Sequence, residues 1–338
     1  MTEQELWHKY CSEMKIDEAT PYEAWSFGGG ASWGDELLEL VLEGRKFGTA
    51  SAFDEYIAKD EVLQLPIYGE YSVLLNSKGE AACVIRNYDV FVCPFDSVPH
   101  FHAYAEGEAD RSLASWKDIH KKFFLPRLEA IKKPLNPESR IVCEKFTVEY
   151  TAEAGADRNN ELFFVEPSRM FIEEMMDFRR EMMEAGSSFD GCFAMKRMPN
   201  LDQFVDYCTE WSNPRRVLGE NGARGTVLLC MRRTDNKMVG CMQVYHVLNE
   251  QMKNFTGHVG YSVRPSERRK GYAKQMLAKA KDYLSTFGFS EIYVSCLPEN
   301  EASRKTILAN GGEYIETVYL ESDAVDLERY RIQLGRMC

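Results

Sequence analysis

Residues 260–273 read GYSVRPSERRKGYA, and the junction they form decides how the second half of the chain is built. HVGYSV (258–263) is a short strand-forming run closed by Arg264-Pro265, which predicts a strand ending there. A helix is predicted over 268–287, because Ala273, Met276, Leu277, Ala280 and Leu284 fall on one face. The first N–H groups of a helix have no acceptor within it and carry the positive end of its dipole, so such a junction binds phosphate. Gly271 and Ala273 leave room beside the backbone for a pyrophosphate, and Arg268, Arg269 and Lys270 add full charges around it. Seven Lys and Arg stand against one Glu from 261 to 281. A solvated basic helix face would give the same excess; the Arg-x-x-Gly-x-Ala spacing at the helix start favours the anion site.

Outward from this junction, a strand is expected at 162–165, helices at 168–185 and 201–211, and a hairpin over 225–247 turning at Thr234-Asp235-Asn236-Lys237. After the long helix come a strand at 291–297, a helix at 300–310 and a terminal strand pair. That order predicts an α/β unit around one mixed sheet.

Val263 to Ala273 resembles the pyrophosphate-binding segment, Gln/Arg-x-x-Gly-x-Gly/Ala, of the GNAT superfamily of acetyl-coenzyme A-dependent N-acyltransferases, with Arg268, Gly271 and Ala273 at the motif positions. The resemblance covers about 161–338 and continues through Asn300-Glu301-Ala302-Ser303, where that family places an Asn and a Ser beside the coenzyme. It implies a mixed αβ sheet that splays open, acetyl-CoA in the cleft, and an amine attacking the thioester directly. Coenzyme binding would then fall to Val263, Arg268, Arg269, Lys270, Gly271, Tyr272, Ala273, Asn300 and Ser303. Many members carry a Tyr seven residues after the motif Asn as acid for the departing thiolate; here that position is Ile307. Tyr314 or water would have to substitute. Glu250, His246 and His258 are the candidates for the base. The acceptor, a small-molecule amine, is not specified; Asp190, Glu184 and Glu220 are acidic positions that could attract it.

With 338 residues the chain exceeds what one core usually serves. The small, polar segment TAEAGADRNN (151–160) divides it into 1–150 and 161–338. In the first half, helices are expected at 2–15 and 34–46, and a helix over 112–131 broken by Pro126. A hairpin over 71–93 turns at Asn-Ser-Lys-Gly, and 141–150 alternates like a strand. This predicts a mixed domain with a mainly antiparallel sheet or small barrel. Trp25-Ser26-Phe27-Gly28-Gly29-Gly30 lacks the Gly-Lys-Ser/Thr ending of a phosphate loop and is a turn.

Gly44-Arg45-Lys46-Phe47-Gly48-Thr49 brings an ammonium and a hydroxyl close in sequence, and Glu106-Gly107-Glu108 offers carboxylates on a later loop. Such a set can bind a polar ligand, or activate Thr49 through a Lys46 whose pKa is lowered by burial. An ordinary helix terminus with basic residues would look the same. Trp25-x-Phe27-Gly28, Leu65-Pro66-x-x-Gly69-Glu70-Tyr71 and Glu106-Gly107-Glu108-x-x-x-Ser112-Leu113-x-x-Trp116, among others, resemble the ASCH domains, small barrels related to the PUA RNA-binding fold, over roughly 20–150. That resemblance implies recognition of a modified nucleoside or RNA, and in some members hydrolysis of the acetyl amide of N4-acetylcytidine by a Thr, a Lys and a Glu. Carried over, these roles fall on Thr49 as nucleophile, Lys46 as its activator and Glu108 as proton partner, with Glu106 the rival carboxylate. An RNA-binding adaptor with an inactive transferase unit is a further alternative.

Charge narrows the ligand classes. Residues 1–160 hold 28 Asp and Glu against 17 Lys and Arg, whereas 161–338 hold 25 against 24. An acidic first half argues against long RNA held by its phosphates and suits a nucleoside better. The ten cysteines include no Cys-x-x-Cys pair, so no metal is expected and reduced thiols are. A polar, acidic start and no apolar run of membrane-spanning length predict a cytoplasmic protein without a membrane partner.

Overall fold

The computed structural model describes residues 1–152, 162–219 and 222–335. Most of the expected linker at 151–160, and Glu220, lie outside the described residues. The chain divides into two compact units, Met1–Asp157 and Arg158–Cys338. No helix among the described residues is long and apolar enough to cross a membrane.

The first unit runs α1 (Glu3–Met14), β1 (Tyr22–Trp25), α2 (Gly34–Leu42), β2 (Gly48–Ala52), α3 (Phe53–Lys59), β3 (Tyr71–Leu75), β4 (Ala81–Pro94), α4 (His100–Glu106), α5 (Leu113–Ala130) and β5 (Arg140–Thr151). Its strands form one five-stranded sheet in the order β1-β3-β4-β5-β2, with β1 parallel to β3 and the remaining pairs antiparallel. Alternation along the strands sends Val73 and Val84 against Leu6, Trp7 and Tyr10 of α1. Leu74, Cys83 and Ile85 point the other way, against Phe27 and Leu38 and Val41 of α2. Register shifts at Val84/Ile85 and Asn87/Asp89 interrupt the long β4 ladder, as bulges that bend a strand do. The edge strands β1 and β2 do not pair with each other among the described residues. The expected barrel is therefore an open sheet here.

Two helices differ from expectation. α2 stops at Leu42 rather than 46, because Gly44 adopts φ 72° and the N–H groups of Arg45 and Lys46 both turn back to the Leu40 carbonyl. Pro126 does not break α5, which continues to Ala130. Only about one turn follows the proline, and the buried Phe124 and Leu128 on either side pin the helix to Ile141 and Cys143 of β5. That packing outweighs a single missing backbone hydrogen bond.

The second unit runs β6 (Leu162–Val165), α6 (Ile172–Glu184), α7 (Phe193–Arg197), α8 (Leu201–Ser212), β7 (Arg224–Arg232), β8 (Lys237–Val247), β9 (Val259–Val263), α9 (Tyr272–Ser285), β10 (Glu291–Cys296), α10 (Glu301–Ala309), β11 (Gly312–Leu320) and β12 (Val325–Gln333). The α/β order holds, but the single mixed sheet does not. Two antiparallel sheets stand in its place, β6-β7-β8-β9 and β10-β12-β11. Their edges meet through a lone bridge between Gly257 and Val294, reinforced by the His258 N–H on the Tyr293 carbonyl at 2.7 Å and the Tyr293 N–H on His258 Nδ1 at 3.0 Å. Beyond that point β9 and β10 part. Gly257 suits this contact, since a Cβ there would lie 2.2 Å from the Tyr293 carbonyl oxygen.

Candidate functional sites

At the mouth of the parted strands lies the segment that follows β9. The helix begins at Tyr272, four residues later than expected, so Arg268 to Gly271 form a turn outside it. A single 3₁₀ turn over Pro265–Glu267 leads in, Arg269 takes φ 63° and Gly271 takes φ 84°. The Arg268 N–H reaches the Pro265 carbonyl and the Gln275 N–H the Gly271 carbonyl. Between them, the N–H groups of residues 269–274 have no backbone acceptor among the described residues. A Cβ built at Gly271 meets nothing within 4 Å. These amides are therefore unclaimed, with open space at Gly271 and the positive end of α9 behind them.

The three basic side chains are not equivalent. Lys270 Nζ is 2.6 Å from Glu267 Oε2, a buried carboxylate that also accepts from Arg232 Nη1 and Lys237 Nζ at 2.8 Å each. Burial works against charge at Glu267, yet these cations outweigh it and hold its carboxyl at about 2. Lys270 is thus tied to the frame of the turn. Arg268 donates to the Val263 carbonyl at 3.2 Å and to Ser187 Oγ at 2.8 Å, neutral acceptors that leave its charge uncompensated. Arg269 is exposed and makes no ion pair among the described residues. Tyr272 is buried, its hydroxyl accepting from Arg232 at 3.2 Å, so only its backbone N–H can serve a ligand.

Asn300 caps α10, accepting from the Ser303 N–H at 3.0 Å. Ser303 Oγ in turn lies 2.9 Å from the hydroxyl of Tyr261 on β9. This bond links β9 to α10, and the expected site residues did not include Tyr261. Burial, the first cause, pushes its phenol up to about 12. Ile307 is fully buried and offers no acid. Of the proposed bases, His258 is buried, held down at about 4 chiefly by burial, and accepts from the Tyr293 N–H. His246 stacks on Phe287 at 4.6 Å, and Glu250 is an exposed partner of Lys253. Tyr314 is exposed and bonded to Thr317. Asp190 is exposed in the α6–α7 loop, its carboxylate accepting from Ser188 at 2.7 Å. Its backbone crosses Gly260 of β9 so closely that a Cβ at Gly260 would lie 2.3 Å from the Asp190 carbonyl oxygen. Glu184 ends α6, exposed.

In the first unit, Lys46 is buried with Nζ 3.0 Å from both Glu106 Oε2 and Glu108 Oε1. The rivalry between the carboxylates resolves into two tasks. Glu106 belongs to α4 rather than to a loop, and its Oε1 accepts from Trp116 Nε1 at 2.8 Å with His102 Nε2 at 3.1 Å and His120 Nε2 at 3.3 Å. It is the interior anchor, and its pKa lies well below the usual range: burial opposes ionisation, but Lys46 and His120 prevail. Glu108 sits at the rim, 21% exposed. Gly107 between them takes φ 74°, and any side chain there would strike the Arg45 carbonyl.

Two sequence expectations meet this geometry differently. Burial alone would lower the pKa of Lys46, as expected, but its two carboxylate partners raise it. The lysine stays an ammonium. Thr49 lies on β2 with its side chain making no hydrogen bond among the described residues, so Lys46 and Glu108 are joined to each other and not to Thr49. Across the sheet from Thr49, in register, is Glu144. Its Oε2 accepts from Asn87 Nδ2 at 3.0 Å. Neither residue was among the candidates.

Residues 23–150 match the family model of the ASCH domain, and residues 179–313 that of the GNAT acetyltransferase domain. Among solved structures, a protein from Enterococcus faecalis V583 is 30% identical, covering 47% of this chain and 96% of its own, with a TM-score of 0.40. An ASCH domain from Lactobacillus crispatus JV V101 is 27% identical over 44% of this chain and 93% of its own, TM-score 0.40. A putative acetyltransferase from Salmonella typhimurium, solved with acetyl-CoA, is 14% identical over 53% of this chain and 97% of its own, TM-score 0.38. No curated protein matches the sequence.

Proposed function

Because the chain joins an ASCH domain to a GNAT acetyltransferase domain, we propose that its second unit transfers the acetyl group of acetyl-CoA to a small-molecule amine. The observation that carries this is the open turn at 268–274, whose unpaired amides and empty volume at Gly271 suit a diphosphate. Arg268 and Arg269 add charge there, while Glu267 fixes the turn through Lys270. The gap between β9 and β10 then receives the acyl end, with Asn300 and Ser303 beside it. Transfer forms the amide N–C bond and breaks the C–S bond; the attacking nitrogen releases one proton to water, and the departing thiolate needs one. Tyr261 remains a phenol at neutral pH and is hydrogen-bonded to Ser303, which makes it the proton source in place of the missing tyrosine at 307, with water restoring the phenol afterwards. Isothermal titration with acetyl-CoA tests the site. Gly271→Glu places a carboxylate against the diphosphate at a left-handed φ and should weaken binding at least 100-fold; undiminished binding removes the turn from the mechanism.

A second reading concerns the first unit, and the Lys46–Glu108 contact at 3.0 Å favours it. We propose that this unit hydrolyses the acetyl amide of a modified nucleoside, with Thr49 as nucleophile and Glu108, fixed at the rim by Lys46, orienting the substrate. Purified protein should release acetate from N4-acetylcytidine, and Thr49→Ala should abolish the release. Retention of activity by that variant would discard the nucleophile.

A further inference from the structure

Thr49 needs a base, and Lys46, held as an ammonium between two carboxylates, cannot be one. We propose that Glu144 is the catalytic base of the first unit and takes the proton of Thr49. This rests on the hydrolase reading given above and names a residue that reading does not supply.

Thr49 and Glu144 are directly opposed residues of the antiparallel β2–β5 pair. Opposed side chains stand on the same face of a sheet, with Cβ atoms roughly 5 Å apart, within the compass of a glutamate arm. That face is apolar at one end, where Phe27, Leu38, Leu74, Ile85 and Phe146 pack under α2. Its other end is polar. Asn87 holds Oε2 of Glu144, and no hydrogen bond among the described residues claims Oε1. Ser51, two residues along β2, is not the nucleophile: it opposes Val142 rather than a carboxylate, and its hydroxyl is already bonded to Tyr56 at 3.1 Å.

The groups facing Glu144 come from every side. Glu23 of β1, Glu70 ahead of β3 and Glu106 of α4 are like charges, Asn87 of β4 is a neutral donor, and Tyr56 of α3 is a neutral phenol. Burial, first, and the three carboxylates push Glu144 up to about 7, against the lowering effect of Asn87. A carboxylate poised there accepts a proton at neutral pH and returns it readily.

The step balances as follows. As Thr49 Oγ bonds to the amide carbonyl carbon, its proton passes to Glu144 Oε1, and the carbonyl oxygen takes up the negative charge. Collapse breaks the C–N bond, and the leaving amine nitrogen takes the proton from Glu144. Water then cleaves the acyl-threonine ester, giving one proton to Glu144 and through it to Thr49, and acetic acid departs.

The experiment follows acetate release from N4-acetylcytidine by the full-length protein against pH, for the wild type and Glu144→Gln. The glutamine keeps the shape and the Asn87 contact but accepts no proton. The wild type should show kcat/KM rising through a limb near pH 7, and the variant should lose at least 100-fold at pH 8 together with that limb. An unchanged rate and limb in the variant would overturn Glu144 as base while leaving the hydrolase reading intact. No acetate from the wild type at any pH would instead discard the hydrolase reading, and this inference with it.

Discussion

The turn at 268–274 and the Lys46 cluster both gather positive charge, and they use it in opposite ways. In the second unit the chain leaves amides around Gly271 unpaired, and Arg268 and Arg269 have no carboxylate partners among the described residues. In the first, Lys46 is sealed between Glu106 and Glu108, with Glu106 further bound by Trp116, His102 and His120. One arrangement leaves its donors open. The other is already neutralised from within the fold. Binding should therefore be sensitive at the turn, and stability at the cluster.

The largest effect separating them should come from Glu106→Gln. The change leaves Lys46 with Glu108 alone and takes the charge from the buried acceptor of Trp116, His102 and His120, so urea unfolding should show a loss of about 3–5 kcal/mol. A loss under 1 kcal/mol would mean that the cluster is not a structural anchor. Next comes Glu144, whose folded value of about 7 exceeds its ordinary 4.5. Folding binds a proton between those values, so the associated stability is full below pH 4.5 and is lost as pH rises through 7. Glu144→Gln should therefore gain on the wild type by about 2 kcal/mol between pH 5 and pH 8; a difference flat with pH would show that the carboxyl titrates normally. The smallest stability change belongs to Gly271→Glu. Its left-handed backbone costs ~1 kcal/mol in a turn with empty space around it, so a loss of acetyl-CoA binding by this variant would not come from unfolding.

The same contrast governs what the sequence could reveal. The turn is local: strand, Arg-Pro, glycine and helix lie within fourteen residues, and backbone geometry follows from neighbours in the chain. The helix starts at Tyr272 rather than 268 because Arg269 and Gly271 take left-handed conformations that hold it off. The Lys46 cluster draws on residues about sixty positions apart. α4 gives no periodic signal, since Phe101 through Glu106 are all buried and no polar face exists to mark a helix. Glu106 and Glu108 were visible as candidates, yet which one is interior depends on Trp116 and two histidines. Glu144 had a faint trace, a charged residue inside the alternating strand IVCEKFTVEY, but its meaning came only from the pairing of β5 with β2. The split into two sheets was hidden for the same reason: pairing partners are chosen across the fold.

The lone bridge at Gly257 and Val294 has a further consequence. Past it, neither β9 nor β10 pairs with a second strand on its remaining side among the described residues, which leaves main-chain donors and acceptors there. A slender guest bearing amides of its own can lie in that slot as a surrogate strand. It need tear no existing ladder to enter, and its departure leaves none to repair.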